Sequence, residues 1–194
     1  MCIRDRVGFE AASGLPESQA RGIAAVTTAT EPSGSPRPPV HVYLNPAVFG
    51  PLGPRGQQIV VSHEATHVAV GAENTTLPLW LSEGFADYVA LRFSPLPETV
   101  LGAQIATLVG KEGAPDHLPG TAEFEGSNPD VGAWYEGAWI AVDLLGEKYG
   151  TERLLRFYRE AERSGVERAF RSVLGTSEQQ FERTWAAHLE TLAS

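Results

Sequence analysis

The pattern of apolar and polar residues predicts a mostly helical chain with a small β element. Strict alternation over residues 40–44, Val-His-Val-Tyr-Leu, is typical of a half-buried strand. Apolar residues then recur at helical spacing through most of the chain, and Gly or Pro ends most of these segments. The expected helices cover residues 16–30, 57–70, 79–93, 97–109, 134–149, 152–163 and 166–174, with a last helix capped by Thr176-Ser177.

This order of elements predicts the α+β class, mostly α, with a small N-terminal β element and a C-terminal helical part. No second strand is visible in the pattern. We expect one domain over residues 40–194, in which residues 40–110 and 132–194 are separated by a long Gly/Pro-rich loop. Residues 1–39 are poorly patterned and end in a Pro/Ser/Gly linker.

The first six residues, Met-Cys-Ile-Arg-Asp-Arg, resemble adapter-derived sequence more than a natural amino terminus. We therefore expect the start to be truncated or artefactual and the natural chain to begin further upstream. No apolar stretch of a signal peptide follows these residues. Since the true start is uncertain in this way, neither the compartment nor a membrane anchor can be read from this end.

Composition excludes several classes of partner and site. The net charge is -9, from 15 basic and 24 acidic residues, and no basic stripe is present, so no nucleic-acid partner is expected. Cys2 is the only cysteine, which excludes an intrachain disulfide and a cysteine-based zinc site. No apolar run approaches the about 18 residues of a membrane span, so no membrane segment is expected in this chain.

The segment His63-Glu64-Ala65-Thr66-His67 carries the clearest chemical signal. If the surrounding apolar run is helical, the two histidines lie on one face, as two ligands of one metal ion must. Glu64 points partly aside and can approach a metal-bound water without occupying the metal. H-E-x-x-H on a helix is typical of zinc peptidases, with two His ligands and Glu as general base.

The predicted helix that follows the H-E-x-x-H segment offers a third metal ligand. A catalytic zinc site needs three protein ligands and one open position. Glu83 lies on the next predicted helix and can reach the metal if a short turn folds this helix back against the first. Asp87, four residues on, lies on the same face and can accept the outer N–H of a ligand histidine. Gly84 would allow the two helices to approach closely.

Together, H-E-x-x-H followed by W-L-x-E-G-x-A-x-Y resembles the glutamate-zincins, and most closely the peptidase MA-like group related to thermolysin and to aminopeptidases of the leukotriene-hydrolase type. The resemblance covers about residues 40–190 and implies a zincin-like catalytic domain that binds one Zn²⁺ and hydrolyses peptides or proteins. It implies that His63, His67 and Glu83 bind zinc, that Glu64 is the base and that Asp87 orients a histidine.

The resemblance extends to a tyrosine before an apolar helix. It implies that Tyr135 donates a hydrogen bond to the developing oxyanion. His117, in the long loop, is a second candidate for that donor. One departure concerns specificity: the G-x-M-E-N-type segment with which related aminopeptidases hold a free α-amine is missing. We therefore expect endopeptidase rather than aminopeptidase action.

Three alternatives remain open. In the metzincin pattern the third ligand would be Glu73, but Val70 stands where that pattern requires Gly. A non-catalytic zincin-like module, which binds zinc structurally or serves as a sensory part of a larger, membrane-anchored protein, would share the ligand set. A helical scaffold without any metal would carry the two histidines by chance.

Overall fold

The computed structural model describes residues 6–14, 23–29, 40–72 and 75–194. The chain divides into two compact units. The first consists of the residues up to Thr75 together with Val89–Leu91, and the second consists of Thr76–Tyr88 and Arg92–Ser194. Helices dominate the described ranges, which otherwise contain one two-stranded antiparallel sheet. The predicted class, α+β and mostly α, is confirmed.

The sheet of the first unit pairs β1 (Ala25–Ala29) with β2 (Val40–Leu44). The predicted strand at 40–44 is confirmed. The helix expected over 16–30 is wrong for the five residues of β1, and residues 15–22 lie outside the described ones. The centre of β1 is a run of β-branched residues, Val-Thr-Thr, which favours a strand once a partner is available.

A buried asparagine joins the two strands of the first unit. Asn45 is fully buried, its backbone N–H donates to the carbonyl of Ala24 at 2.8 Å, and its Nδ2 donates to that of Ile23 at 3.0 Å. Its Oδ1 accepts from the backbone N–H of Ala47 at 3.1 Å. Since a buried amide without partners would be costly, these bonds fix the start of β1 beside the end of β2.

Three helices complete the described part of the first unit: α1 (Arg6–Ser13), α2 (Pro46–Phe49) and α3 (Pro54–Val70). Helix α2 lies between the predicted strand at 40–44 and the predicted helix at 57–70, where the apolar pattern predicts no element. Helix α3 carries the H-E-x-x-H segment and begins at Pro54 rather than at 57. Proline suits the first turn because its missing N–H would have no helical partner there. Gly71 ends the helix in the left-handed conformation, with φ of 70°, as its position predicts.

The second unit contains all the remaining helices of the described ranges. Residues 110–132, expected to form one long loop, include the end of the helix Ala103–Glu112 and a short 3₁₀ turn at Ala122–Phe124. The expected helix at 97–109 is divided at Gly102, where a Cβ would lie 3.0 Å from the side chains of Ile140 and Leu192. The helices are α4 (Leu79–Leu91, of which the last three residues belong to the first unit), α5 (Glu98–Leu101), α6 (Ala103–Glu112), α7 (Val131–Tyr149), α8 (Thr151–Ser164), α9 (Val166–Ala169, continued by a π turn at Phe170–Leu174) and α10 (Glu178–Leu192).

The core of the second unit lies between these helices. Of the four apolar residues that helical spacing places on one face of the last helix, Phe181, Trp185 and Leu189 are buried and Leu192 is half-buried. The indole Nε1 of Trp185 donates to the carbonyl of Gly137 on α7 at 2.9 Å, which satisfies the one polar atom of this side chain. No helix within the described ranges has the length and apolar character to cross a bilayer, in agreement with the sequence expectation.

Close backbone contact joins α4 and α7 within the second unit. A Cβ placed on Gly84 would lie 2.3 Å from the carbonyl oxygen of Ala138 and 2.9 Å from the side chain of Val142. The sequence interpretation assigned Gly84 to the approach of the H-E-x-x-H helix. The side of Gly84 where a Cβ would project instead meets α7, so the glycine sets how closely those two helices pack.

Candidate metal site

The two histidines of the H-E-x-x-H segment point to the same side of α3. Their Nε2 atoms lie 2.9 Å apart, and their ring centroids are 4.6 Å apart in an edge-to-face arrangement. His67 is 9% exposed, while His63 is half-buried. Helical spacing thus brings two imidazole nitrogens to one point, as the sequence predicts, with one ring more accessible than the other.

Glu64, the predicted base, is buried and hydrogen-bonded to the sheet. The residue is 7% exposed, and Oε2 accepts a hydrogen bond of 2.6 Å from Oγ1 of Thr27 at the centre of β1. Thr66, also on α3, is buried and donates to the carbonyl of Ser62 at 2.8 Å. The carboxylate of Glu64 is therefore held by a residue 37 positions away in the chain.

Sequence reasoning missed Thr27. The region was expected to be helical, and a threonine carries no motif of its own. The signal that could have found it is the β-branched run at the centre of β1, opposite the predicted strand. In antiparallel pairing, Thr27 stands opposite Val42.

Glu83 and Asp87 lie on α4, one turn apart on the same face. Both are half-buried, whereas most of their neighbours on this helix, including Trp80, Leu81 and Phe85, are buried. The two carboxylates thus occupy the partly accessible stripe of an otherwise apolar helix. This agrees with the expectation that they share a face.

The residue before Glu83 is anchored to α8. Ser82 is 5% exposed and hydrogen-bonded to Tyr158, whose ring centroid lies 4.6 Å from that of Phe85. Burial raises the pKa of the Tyr158 hydroxyl to about 12, with further contributions from the carboxylates of Glu162 and Glu83. Tyr158 therefore stays protonated and ties the first turns of α4 to the core of the second unit.

His63, His67 and Glu83 form a group that could hold a metal ion. Each offers one ligand atom, and these atoms all lie within 4.8 Å of one another. Among the described residues no other such group of three occurs. Two imidazole nitrogens and one carboxylate oxygen are a ligand set of catalytic zinc sites, so the residues fit the metal that the motif implies. Glu73, the alternative third ligand, lies outside the described residues.

The two candidate oxyanion donors have different surroundings. Tyr135 is half-buried near the start of α7, and its ring meets that of Phe124 edge-on at a centroid distance of 5.0 Å. His117 is 58% exposed and bonded through Nδ1 to Asp116 at 2.8 Å. This bond raises the pKa of His117, since the neighbouring carboxylate favours the charged imidazole. The roles of Tyr135 and His117 stay predictions.

No protein-family model matches the chain, and no curated protein or solved structure shows significant similarity to it. Function is therefore inferred from the residues and their geometry alone.

Proposed function

We propose that the protein is a zinc-dependent metallopeptidase of the glutamate-zincin type, in which His63, His67 and Glu83 bind one Zn²⁺ and Glu64 acts as general base. One observation carries the proposal: these two imidazoles and one carboxylate form a group that could hold a metal ion, with ligand atoms within 4.8 Å of one another. The residue directly after the first histidine is a buried glutamate, the residue that H-E-x-x-H peptidases use as general base.

Each residue has a distinct task in the proposed reaction. A zinc ion held by the three ligands supplies a Lewis acid and lowers the pKa of bound water toward ~7. Glu64 accepts the proton of the attacking water and later transfers it to the leaving amine. Asp87 accepts the outer N–H of a ligand histidine and so fixes its tautomer. Tyr135 donates a hydrogen bond to the oxygen on which negative charge develops.

The proposed substrate is a peptide or protein cleaved within the chain. An aminopeptidase needs groups that recognise the charge of a free α-amine, and the chain lacks the G-x-M-E-N-type segment with which related aminopeptidases hold that amine.

Elemental analysis of the purified protein provides the first test. We expect about one zinc per chain, removed by a chelator, whereas less than ~0.2 zinc per chain after mild purification contradicts any metal function.

Cleavage of a mixed peptide library tests the catalytic part of the proposal. We expect the wild-type protein to cleave internal bonds and a chelator to stop cleavage. The Glu64→Gln variant keeps the side-chain shape but cannot accept the proton, so its activity should fall by ~100-fold or more while zinc content is retained. Mass spectrometry of the products locates each cut and separates endopeptidase from aminopeptidase action.

Glu190→Gln, an exposed glutamate on α10, is the matched control and should behave as the wild type. Equal activity of the wild type and Glu64→Gln refutes the role of Glu64. A zinc-loaded wild type that cleaves no peptide favours the non-catalytic module instead.

A further inference from the structure

We propose that Thr27 is a positioning residue, whose hydroxyl holds the Glu64 carboxylate in the orientation required for proton transfer. The inference rests on the proposed function, because it concerns the residue assigned there as general base. Its basis is the 2.6 Å hydrogen bond from Oγ1 of Thr27 to Oε2 of Glu64. A neutral hydroxyl donating to a carboxylate forms one of the stronger classes of protein hydrogen bond.

The direction of the Thr27 hydroxyl is set by the sheet. A β-branched side chain in a strand has few χ1 rotamers, so the backbone of β1 largely decides where Oγ1 points. That backbone is fixed by pairing with β2, where Thr27 stands opposite Val42. The bonds from Asn45 to the carbonyls of Ile23 and Ala24 fix the start of the strand. The donor is therefore already oriented before any substrate binds.

The Glu64 side chain needs such a constraint. Glutamate has three rotatable side-chain bonds, and ordering them costs conformational entropy. The Thr27 hydroxyl occupies one acceptor position on Oε2, and Oε1 with its own lone pairs is left to take a proton. Thr27 thus restricts the orientation of the Glu64 carboxylate and leaves the carboxylate able to accept a proton.

A purely structural contact between β1 and α3 is the competing interpretation. In that case loss of the hydroxyl would lower the stability of the protein and leave turnover per folded, zinc-loaded molecule unchanged. A positioning role instead predicts a loss in kcat at constant zinc content, because a small displacement of a catalytic group slows the chemical step more than it weakens substrate binding. The two interpretations therefore differ in a measurable way.

The test compares Thr27→Val, which keeps the side-chain shape and removes the hydroxyl, with Thr27→Ser, which keeps the hydroxyl. The substrate is the peptide that the wild type cleaves fastest in the library. For Thr27→Val we expect kcat to fall about tenfold, with KM within about twofold of wild type and an unchanged zinc content. Thr27→Ser should recover at least half of the wild-type kcat. Thr28→Val, on the next residue of the same strand, is the control and should match the wild type.

A wild-type kcat in Thr27→Val, or an equal loss in Thr27→Ser, overturns the inference. Thr27→Ala replaces Thr27→Val if the valine variant does not fold. A zinc-loaded wild type that cleaves nothing overturns the proposed function and, with it, the role of Thr27.

The metal-free protein provides a readout that needs no activity. Thermal unfolding of wild type, Thr27→Val, Glu64→Ala and the double variant forms a double-mutant cycle. If the hydrogen bond holds the carboxylate, the decrease in Tm of the double variant should be smaller than the sum of the two single decreases. Additive decreases would show that the two side chains do not interact and would overturn the inference even in an active enzyme.

Discussion

At the residue scale, burial separates the proposed catalytic groups from the other titratable side chains. Glu64 and His67 are buried residues, whereas His117 and Asp116 form an ion pair whose side chains are 58% and 96% exposed. Electrostatic interactions are stronger where water is excluded, so a charge on the Glu64 side chain is screened less by solvent than a charge on His117. The H-E-x-x-H segment thus combines two histidines on one helix face with a buried glutamate, as the proposed reaction requires.

Asp87 provides a prediction at this scale. Replacement of Asp87 by Ala should weaken zinc affinity about 10–100-fold, because a ligand histidine loses the acceptor that fixes its ring and tautomer. Competition with a fluorescent zinc indicator measures the change. Asp130→Ala, an exposed aspartate beside α7, is the control and should bind zinc as the wild type does. Unchanged affinity in Asp87→Ala would remove Asp87 from the site.

At the scale of elements, the position of α4 depends on helix packing in the second unit. Gly84 meets the backbone of α7, and Ser82 is bonded to Tyr158 on α8. Both contacts are made by residues directly beside Glu83. Displacement of α4 would therefore move Glu83 as well, which links the packing of this unit to the proposed ligand.

Gly84→Ala should destabilise the protein by about 2–3 kcal/mol or more. The new Cβ would overlap the carbonyl oxygen of Ala138, and this oxygen cannot move aside because it belongs to the backbone of α7. Gly110→Ala on α6 is the matched control. Nothing lies within 4 Å of a Cβ at Gly110, so alanine should raise helix stability there by about 0.5–1 kcal/mol. Urea unfolding measures both variants, and a stable Gly84→Ala would contradict the close helix contact.

At the scale of the whole molecule, the excess of acidic residues affects stability. The net charge is -9, and repulsion between like charges opposes the compact state. Asp143 on α7 shows the consequence most clearly. Burial raises its pKa to about 6, assisted by the carboxylates of Glu147 and Glu98 and opposed by His188, which is bonded to Glu98 at 2.8 Å.

A dependence of stability on pH follows. The folded chain binds the Asp143 proton more tightly than the unfolded chain, where the pKa is near 3.8. The resulting contribution to stability is complete below pH 3.8 and is lost as the pH rises through about 6. Asp143→Asn cannot ionise and should therefore gain stability relative to wild type as the pH rises through this range. Urea unfolding of the metal-free proteins on both sides of the range measures it.

Asp130→Asn, an exposed aspartate, should follow the wild type at every pH. A constant difference between Asp143→Asn and wild type would assign the effect to packing rather than to ionisation.

Much of the fold could be predicted because helices depend on local sequence. Ser177 caps α10 by accepting from the N–H of Gln180 at 3.1 Å, and Gly71 ends α3, both as the sequence predicts. The strand β1 was missed because a strand depends on a partner elsewhere in the chain. The single helix expected at 97–109 was wrong because Gly102 packs against α7 and α10, which no local pattern reports.

The pairing of His63 and His67 follows from the sequence alone, since residues four apart in any α-helix share a face. So does the shared face of Glu83 and Asp87 on the next helix, for the same reason. The bond from Thr27 to Glu64 and the packing of Gly84 against α7, by contrast, depend on how distant elements come together in the fold. These contacts join residues 37 and 54 positions apart, and such pairs meet only when separate elements pack together.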